Sequence, residues 1–112
     1  MDEKSALAAL SALSGETRMR MFRQLVIAGD DGLTAGNLAT VTEAAPSRAS
    51  FHLNALSKAG LITSTKAARQ VTYQVDFTRV AELFGFLLKD CCQNNPIVMS
   101  SCCGLPIKRS DV

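Results

Sequence analysis

Residues 45–62 read A-P-S-R-A-S-F-H-L-N-A-L-S-K-A-G-L-I, and this stretch decides the fold. Pro46 suits the first turn of a helix and Gly60 suits its end, so the stretch predicts a helix that begins at Pro46 and ends at Gly60. Within it, apolar residues recur at helical spacing and form a buried face, made of Ala49, Leu53 and Leu56. The side chains left facing outward or flanking are those of Ser47, Arg48, Ser50, Phe51 and Asn54.

Three more helices are predicted before this one. The first runs from Ser5 to Leu13 and carries an apolar stripe of three leucines, Leu7, Leu10 and Leu13. The second is N-capped by Ser14 and stopped by Gly29. It should bury Met21, Phe22, Leu25 and Val26 and turn Arg18, Arg20 and Arg23 mostly outward. A short third helix, A-G-N-L-A-T-V, follows the cap residue Thr34.

After Gly60 the apolar period changes from helical toward two. L-I-T-S-T-K, a polar corner A-A-R and Q-V-T-Y-Q-V together predict a β-hairpin. A last helix begins near Asp76 or Thr78 and ends before Q-N-N-P. One face of it carries Val80, Leu83, Phe84, Leu87 and Leu88, and by the same spacing Cys91 continues that apolar face.

Length and charge narrow the class of protein. A chain of 112 residues suffices for one compact domain, which we expect over residues 1–92 with a cysteine-containing C-terminal tail over 93–112. No apolar stretch is long enough to span a membrane and the chain opens M-D-E-K, so we expect a cytoplasmic protein without a membrane partner.

Residues 46–79 carry five Lys or Arg against one Asp, a net charge of +4. A phosphate-binding surface requires such a basic region, although solvated faces that bind nothing often have one too.

All four cysteines lie near the end of the chain, as the adjacent pairs Cys91, Cys92 and Cys102, Cys103. Thiolates select soft metal ions, so the cluster predicts a site for a thiophilic ion. A disulfide framework would need a small secreted chain, and structural zinc sites usually space their cysteines by two to four residues. The alternative without a metal is that Cys91 is merely a core thiol and that the second pair lies in a disordered tail.

Helices followed by a two-stranded wing are the arrangement of a winged helix-turn-helix domain, a mainly α fold with a β-hairpin wing. L-S-G-E-T-R-M-R-M-F-R-Q-L, residues 13–25, resembles the second-helix signature of the ArsR/SmtB family of metal-responsive repressors. Residues 45–62 resemble its recognition helix, and V-T-Y-Q-V resembles its wing. The resemblance covers roughly residues 7–90. It implies a homodimeric repressor, not an enzyme, that binds double-stranded operator DNA and is released by a toxic metal or metalloid.

The chain departs from the family pattern in three places. It has no C-V-C cluster before the recognition helix, it lacks the acid and histidine ligands of the zinc sensors because its only histidine is His52, and its wing corner lacks the usual glycine. The inducer site is therefore expected at the C-terminal cysteines, which resemble those of arsenite and antimonite sensors. As(III) is expected to take three thiolates, from Cys91, Cys92 and one of the second pair; Cys102 is favoured over Cys103. No organic cofactor is expected.

DNA contacts are predicted on the fourth helix and on the wing, from Ser47, Arg48, Ser50, Phe51, His52, Lys66 and Arg69. A two-fold dimer interface is predicted from two apolar stripes, made of Leu7, Leu10, Leu13, Leu83, Phe84 and Leu87. Two other functions fit the same residues. One is a repressor that senses oxidation through its vicinal thiols, and the other is a cysteine-based metal or metalloid carrier, or a reductase, that does not bind DNA.

Overall fold

The computed structural model describes residues 1–104. Six helices in this part of the chain are α1 Glu3–Leu13, α2 Glu16–Ala28, α3 Ala35–Thr42, α4 Pro46–Lys58, α5 Phe77–Phe86 and α6 Pro96–Cys103. The strands are β1 Leu33–Thr34, β2 Ile62–Ala67 and β3 Gln70–Val75. A 3-10 turn at Gly29–Asp31 follows α2, and a π-helical turn at Leu87–Cys91 follows α5. None of the helices described in residues 1–104 has the length and apolarity that crossing a bilayer requires.

The wing is a three-stranded antiparallel sheet in the order β1-β3-β2. The predicted hairpin is present, and it pairs Ile62 with Val75 at its base and Ala67 with Gln70 at its tip. Strand β1 was not predicted, because its two residues are too few to show a period. Gly32 leads into β1 with φ 65° and ψ −172°, a conformation that is essentially restricted to glycine. An added Cβ there would also collide with the backbone oxygen of Tyr73.

The core lies where α1, α2, α3, α4 and α5 meet the base of the wing. Helix α1 contributes small side chains, because Ala6, Ala9 and Ala12 are the residues it buries. Helix α4 buries the predicted set Ala49, Leu53 and Leu56. The largest fully buried side chains are Met21, Leu25, Leu38, Leu53, Leu56 and Leu61. The winged helix-turn-helix prediction is confirmed by this element order and packing.

The helix ends confirm most of the predicted caps and correct one. Thr34 accepts a hydrogen bond from the Asn37 amide at 3.1 Å and so caps α3. Asp76 caps α5 in the same way. Ser14 does not cap α2. Its hydroxyl donates to the Ser11 carbonyl at 2.9 Å, and Ser14 is the C-cap of α1, whereas Gly15 holds the N-cap position of α2.

Two expectations about burial are wrong. Val26 was predicted to face inward but is 40% exposed, because the buried face of α2 is the narrower line through Met21 and Leu25. Cys91 was predicted to continue the apolar face of α5, and its side chain is exposed. The π turn between Leu87 and Cys91 winds wider than an α-helix, so the residues after it do not keep the α-helical register.

The segment after α5 contains a helix that the sequence did not predict. Gln93 and Asn94 adopt left-handed backbone conformations, with φ 53° and 52°, and end the helix as Q-N-N-P predicted. Asn95 then caps α6 by accepting from the Ile97 amide at 2.9 Å, and Pro96 occupies its first turn. Residues 93–103 thus continue as a turn and a second helix.

Candidate nucleic-acid interface and cysteine site

The outward face of α4 carries the predicted DNA-contact residues at the surface. Because Ala49, Leu53 and Leu56 fill the core, the side chains of Ser47, Arg48 and Ser50 are left exposed. Together with Phe51 and His52, Ser47 and Arg48 line one shallow depression. Hydroxyl, guanidinium, aromatic and imidazole groups on one helix face can read base edges and bind phosphates.

Phe51 has no place in the core, because 64% of it is exposed. An aromatic ring held in solvent on the same helix face as Arg48 is available for apolar contact with a thymine methyl group. Its ring meets the neighbouring His52 ring edge to face, with centroids 5.5 Å apart.

Arg18 of α2 lies next to this face of α4, although the sequence predicted that its side chain would point mostly away from the core. Its Nε donates to His52 Nδ1 at 3.1 Å, and its Cζ lies 5.9 Å from the centroid of the Phe51 ring. The side chain is half-buried between the two helices. One sequence signal pointed to this position: Arg18 precedes Met21 by three residues and Leu25 by seven, which puts it on the buried line of α2.

The surroundings of His52 disfavour the charged form of its imidazole. Burial, followed by the charges of Arg18 and Arg48, lowers the pKa of His52 below its ordinary value. Because Nδ1 accepts from Arg18, the ring proton belongs on Nε2. The structure thus agrees with the sequence in making His52 a hydrogen-bonding residue of the helix.

The wing places its two predicted basic residues in solvent. Lys66 lies near the end of β2, and Arg69 lies in the two-residue corner between β2 and β3. The corner turns without glycine because Ala68 itself adopts a left-handed conformation, with φ 56°. Arg69 is therefore presented at the tip of the hairpin, where a long cationic side chain can contact a phosphate.

The predicted cysteine ligands lie on two segments, the end of the π turn and α6. Cys91 is exposed at the end of the π turn, Cys92 is half-buried beside it, and Cys102 is exposed in α6. Residues 1–104 contain no group of three or more His, Cys, Asp or Glu side chains placed to hold a metal ion. The side chain of Cys103 is not among those that the structure describes, so its predicted role stays a prediction. Helical rise sets Cys102 about 9 Å along α6 from Pro96.

The predicted dimer stripes divide into exposed and buried residues. Leu7, Leu10 and Phe84 are 59%, 39% and 50% exposed. Leu13 and Leu87 are partly buried against the core, and Leu83, at 4% exposed, belongs to the chain's own core instead of to a free surface. The exposed part of the prediction is an apolar face shared by α1 and α5, which contact each other.

A profile of the helix-turn-helix domain matches residues 13–65. The transcriptional activator HlyU of Vibrio cholerae serotype O1 is 32% identical to this chain over 97 residues, covering 85% of the chain and 87% of HlyU. HlyU is a regulator of the ArsR/SmtB type. This chain belongs to the ArsR/SmtB family.

Two solved structures agree with this membership. The first is the crystal structure of a possible transcriptional regulator for arsenical resistance, which is 33% identical to this ArsR/SmtB chain. The match covers 69% of this chain and 77% of that regulator, with a TM-score of 0.60. The homodimeric winged helix-turn-helix domain of Mb0332 from Mycobacterium bovis, a possible ArsR-family regulator, has a TM-score of 0.64 over 81% of this chain and 82% of its own. At 21% identity the second supports the fold alone. HlyU is a transcription regulator and the two solved structures are of possible transcription regulators, which is consistent with the prediction that this chain is not an enzyme.

Proposed function

We propose that this ArsR/SmtB regulator is a metalloid-responsive repressor. In this proposal a homodimer binds operator DNA through α4 and the wing, and As(III) or Sb(III) bound by C-terminal thiolates releases it. The observation that carries the proposal is the confinement of all four cysteines to residues 91–103, directly after α5. Soft thiolates suit these ions, and exposed Cys91 and Cys102 are open to them.

Two features support the DNA-binding part. The exposed residues of α4 form one face with Arg48 and Phe51, and Lys66 and Arg69 extend the basic surface along the wing. In a two-fold dimer, two such helices would enter successive major grooves of a palindromic site. The exposed apolar face of Leu7, Leu10 and Phe84 supplies a surface for that dimer, and the Mycobacterium bovis domain of the same fold is homodimeric.

The cysteine part requires movement. Three thiolates on one As(III) ion must come within a few ångströms of one another, whereas the described side chains, with those of Cys91, Cys92 and Cys102 among them, include no group of three possible ligands. Binding by these three cysteines therefore requires α6 to move relative to the end of α5, which is next to Phe84. Such a change couples ion binding to the geometry of the dimer and thereby lowers its affinity for DNA. By linkage, bound DNA must lower the affinity for the ion by the same factor. Reduced thiols are needed, which a cytoplasmic location would provide.

The test is fluorescence anisotropy on a labelled duplex from the promoter of the protein's own operon, titrated with arsenite, antimonite and cadmium under strictly reducing conditions. We expect nanomolar-range binding that arsenite or antimonite reverses. Cys91→Ser, Cys92→Ser and Cys102→Ser should bind DNA normally and resist release, because a hydroxyl does not replace a soft thiolate. Cys103→Ser should respond nearly normally, and Ser101→Ala is the matched control that leaves every thiol in place.

Three outcomes would contradict the proposal in different ways. Release by arsenite that survives the loss of both Cys91 and Cys92 would place the inducer site elsewhere. Release by an oxidant but not by arsenite would favour the redox-sensing repressor. Absence of duplex binding combined with tight binding of arsenite would favour the metalloid carrier.

A further inference from the structure

We propose that Arg18, on α2, is a positioning residue for sequence recognition by α4. It fixes the His52 ring as an Nε2–H donor and supports the Phe51 ring, so that α4 presents one hydrogen-bond donor and one apolar surface in a fixed arrangement. This inference rests on the proposed role of α4 in binding DNA.

The first support is the direction of the hydrogen bond between the helices. The Arg18 guanidinium has no acceptor, so its Nε must donate and His52 Nδ1 must accept. An imidazole that accepts at Nδ1 carries its proton on Nε2 and is restrained in rotation about its side-chain bonds. His52 also lines the shallow depression on α4, so a base edge in that depression would meet a donor.

The second support is the position of the Arg18 guanidinium over the Phe51 ring. The Arg18 guanidinium carbon lies 5.9 Å from the centre of the Phe51 ring, and that ring meets His52 edge to face. An exposed phenylalanine would otherwise rotate among several rotamers in solvent. Contact with a half-buried, planar guanidinium on a neighbouring helix reduces that freedom before DNA arrives, which lowers the entropy lost on binding.

The charges around His52 agree with this role. Arg18 from α2 and Arg48 from α4 are the charged groups that act on its ring, and both disfavour a second proton. Lysine in place of Arg18 would keep the positive charge but would lose the planar fork that donates through Nε and lies against a ring. The effect of the positive charge at position 18 can therefore be separated by experiment from the effect of the guanidinium geometry.

The experiment compares Arg18→Lys with Arg23→Lys, an exposed residue of the same helix, in anisotropy titrations on the promoter duplex and on a scrambled duplex. We expect Arg18→Lys to lower the ratio of operator to scrambled affinity about fivefold or more, with an unchanged salt slope, because one ordered base contact is lost and no charge is removed. Arg23→Lys should change neither quantity. The loss should vanish in a His52→Ala background if Arg18 acts through His52.

A second measurement keeps the inference testable if Arg18→Lys folds poorly. Long-range nitrogen–proton NMR spectra of the wild-type protein should show His52 as the Nε2–H tautomer at pH 7. Equal specificity ratios for Arg18→Lys and Arg23→Lys, or a dominant Nδ1–H tautomer, would overturn the positioning role. Failure of the wild-type protein to bind the promoter duplex would instead refute the proposed function.

Discussion

Leu7→Glu provides the sharpest test of the proposed dimer interface. In the single chain Leu7 is 59% exposed, so a glutamate there would disturb the fold of one protomer little. The same position in a two-fold interface would bury two carboxylates without partners. The structure makes Leu7 a better choice than Leu87, because Leu87 also packs against the chain's own core and a charge there would perturb both.

The magnitude follows from the exposed fraction. Full burial of a leucine side chain contributes about 1.5–3 kcal/mol, so covering the exposed 59% of Leu7 contributes about 0.9–1.8 kcal/mol in each protomer. A two-fold dimer contains this contact twice, which gives about 2–3.5 kcal/mol, or a dissociation constant raised roughly 30- to 400-fold. Desolvation of the carboxylates would add to this loss.

Sedimentation equilibrium measures the change directly, with circular dichroism to verify the helices. Ile27→Glu is the matched control, because Ile27 is 73% exposed on α2 and outside the proposed interface. We expect Leu7→Glu to be monomeric and helical and Ile27→Glu to be dimeric. A Leu7→Glu protein that stays dimeric with unchanged affinity would refute the assignment of the α1 face to the interface.

Four further outcomes are expected. Arg48→Ala should weaken operator binding by about 1–3 kcal/mol and relax the preference at one base pair. Arg69→Ala should weaken binding to every sequence and reduce the slope of log affinity against log salt concentration by about one unit. Fluorescence anisotropy at several salt concentrations distinguishes the two effects. Gly32→Ala should lower the free energy of unfolding by at least about 1–3 kcal/mol in a urea titration, because its backbone conformation is nearly restricted to glycine and Tyr73 occupies the space of the new methyl. Leu53→Ala, at a fully buried site, should cost about 2–5 kcal/mol in the same assay. The lowered pKa of His52 means that the unfolded chain takes up a proton more readily than the folded protein. Stability should therefore be constant above the ordinary histidine pKa of about 6.5 and fall as the pH drops through the folded-state pKa, a dependence that His52→Gln removes.

The sequence by itself determined helices α1 to α5, the β2–β3 hairpin and the class of fold. Helical spacing of Ala49, Leu53 and Leu56 fixed the buried face of α4, and its bounds followed from Pro46 and Gly60. Alternation through Q-V-T-Y-Q-V fixed the wing. These features are local, since side-chain period and backbone preference act over a few residues and can be read without knowing what the element packs against.

Tertiary structure alone decided which of its two apolar faces α1 buries. Helix α1 carries alanines and leucines on adjacent faces, and the close approach of α2 and α4 left room for Ala6 and Ala9 but not for Leu7. It likewise decided that Arg18 meets His52, 34 residues away in the chain. Such contacts depend on the packing of whole helices, and no local pattern specifies them. The π turn before Cys91 and the helix that carries Cys102 were not predicted for a different reason. Both are formed by local backbone hydrogen bonds, such as the one from the Cys92 amide to the Leu87 carbonyl, and the spacing of the cysteines does not specify such bonds.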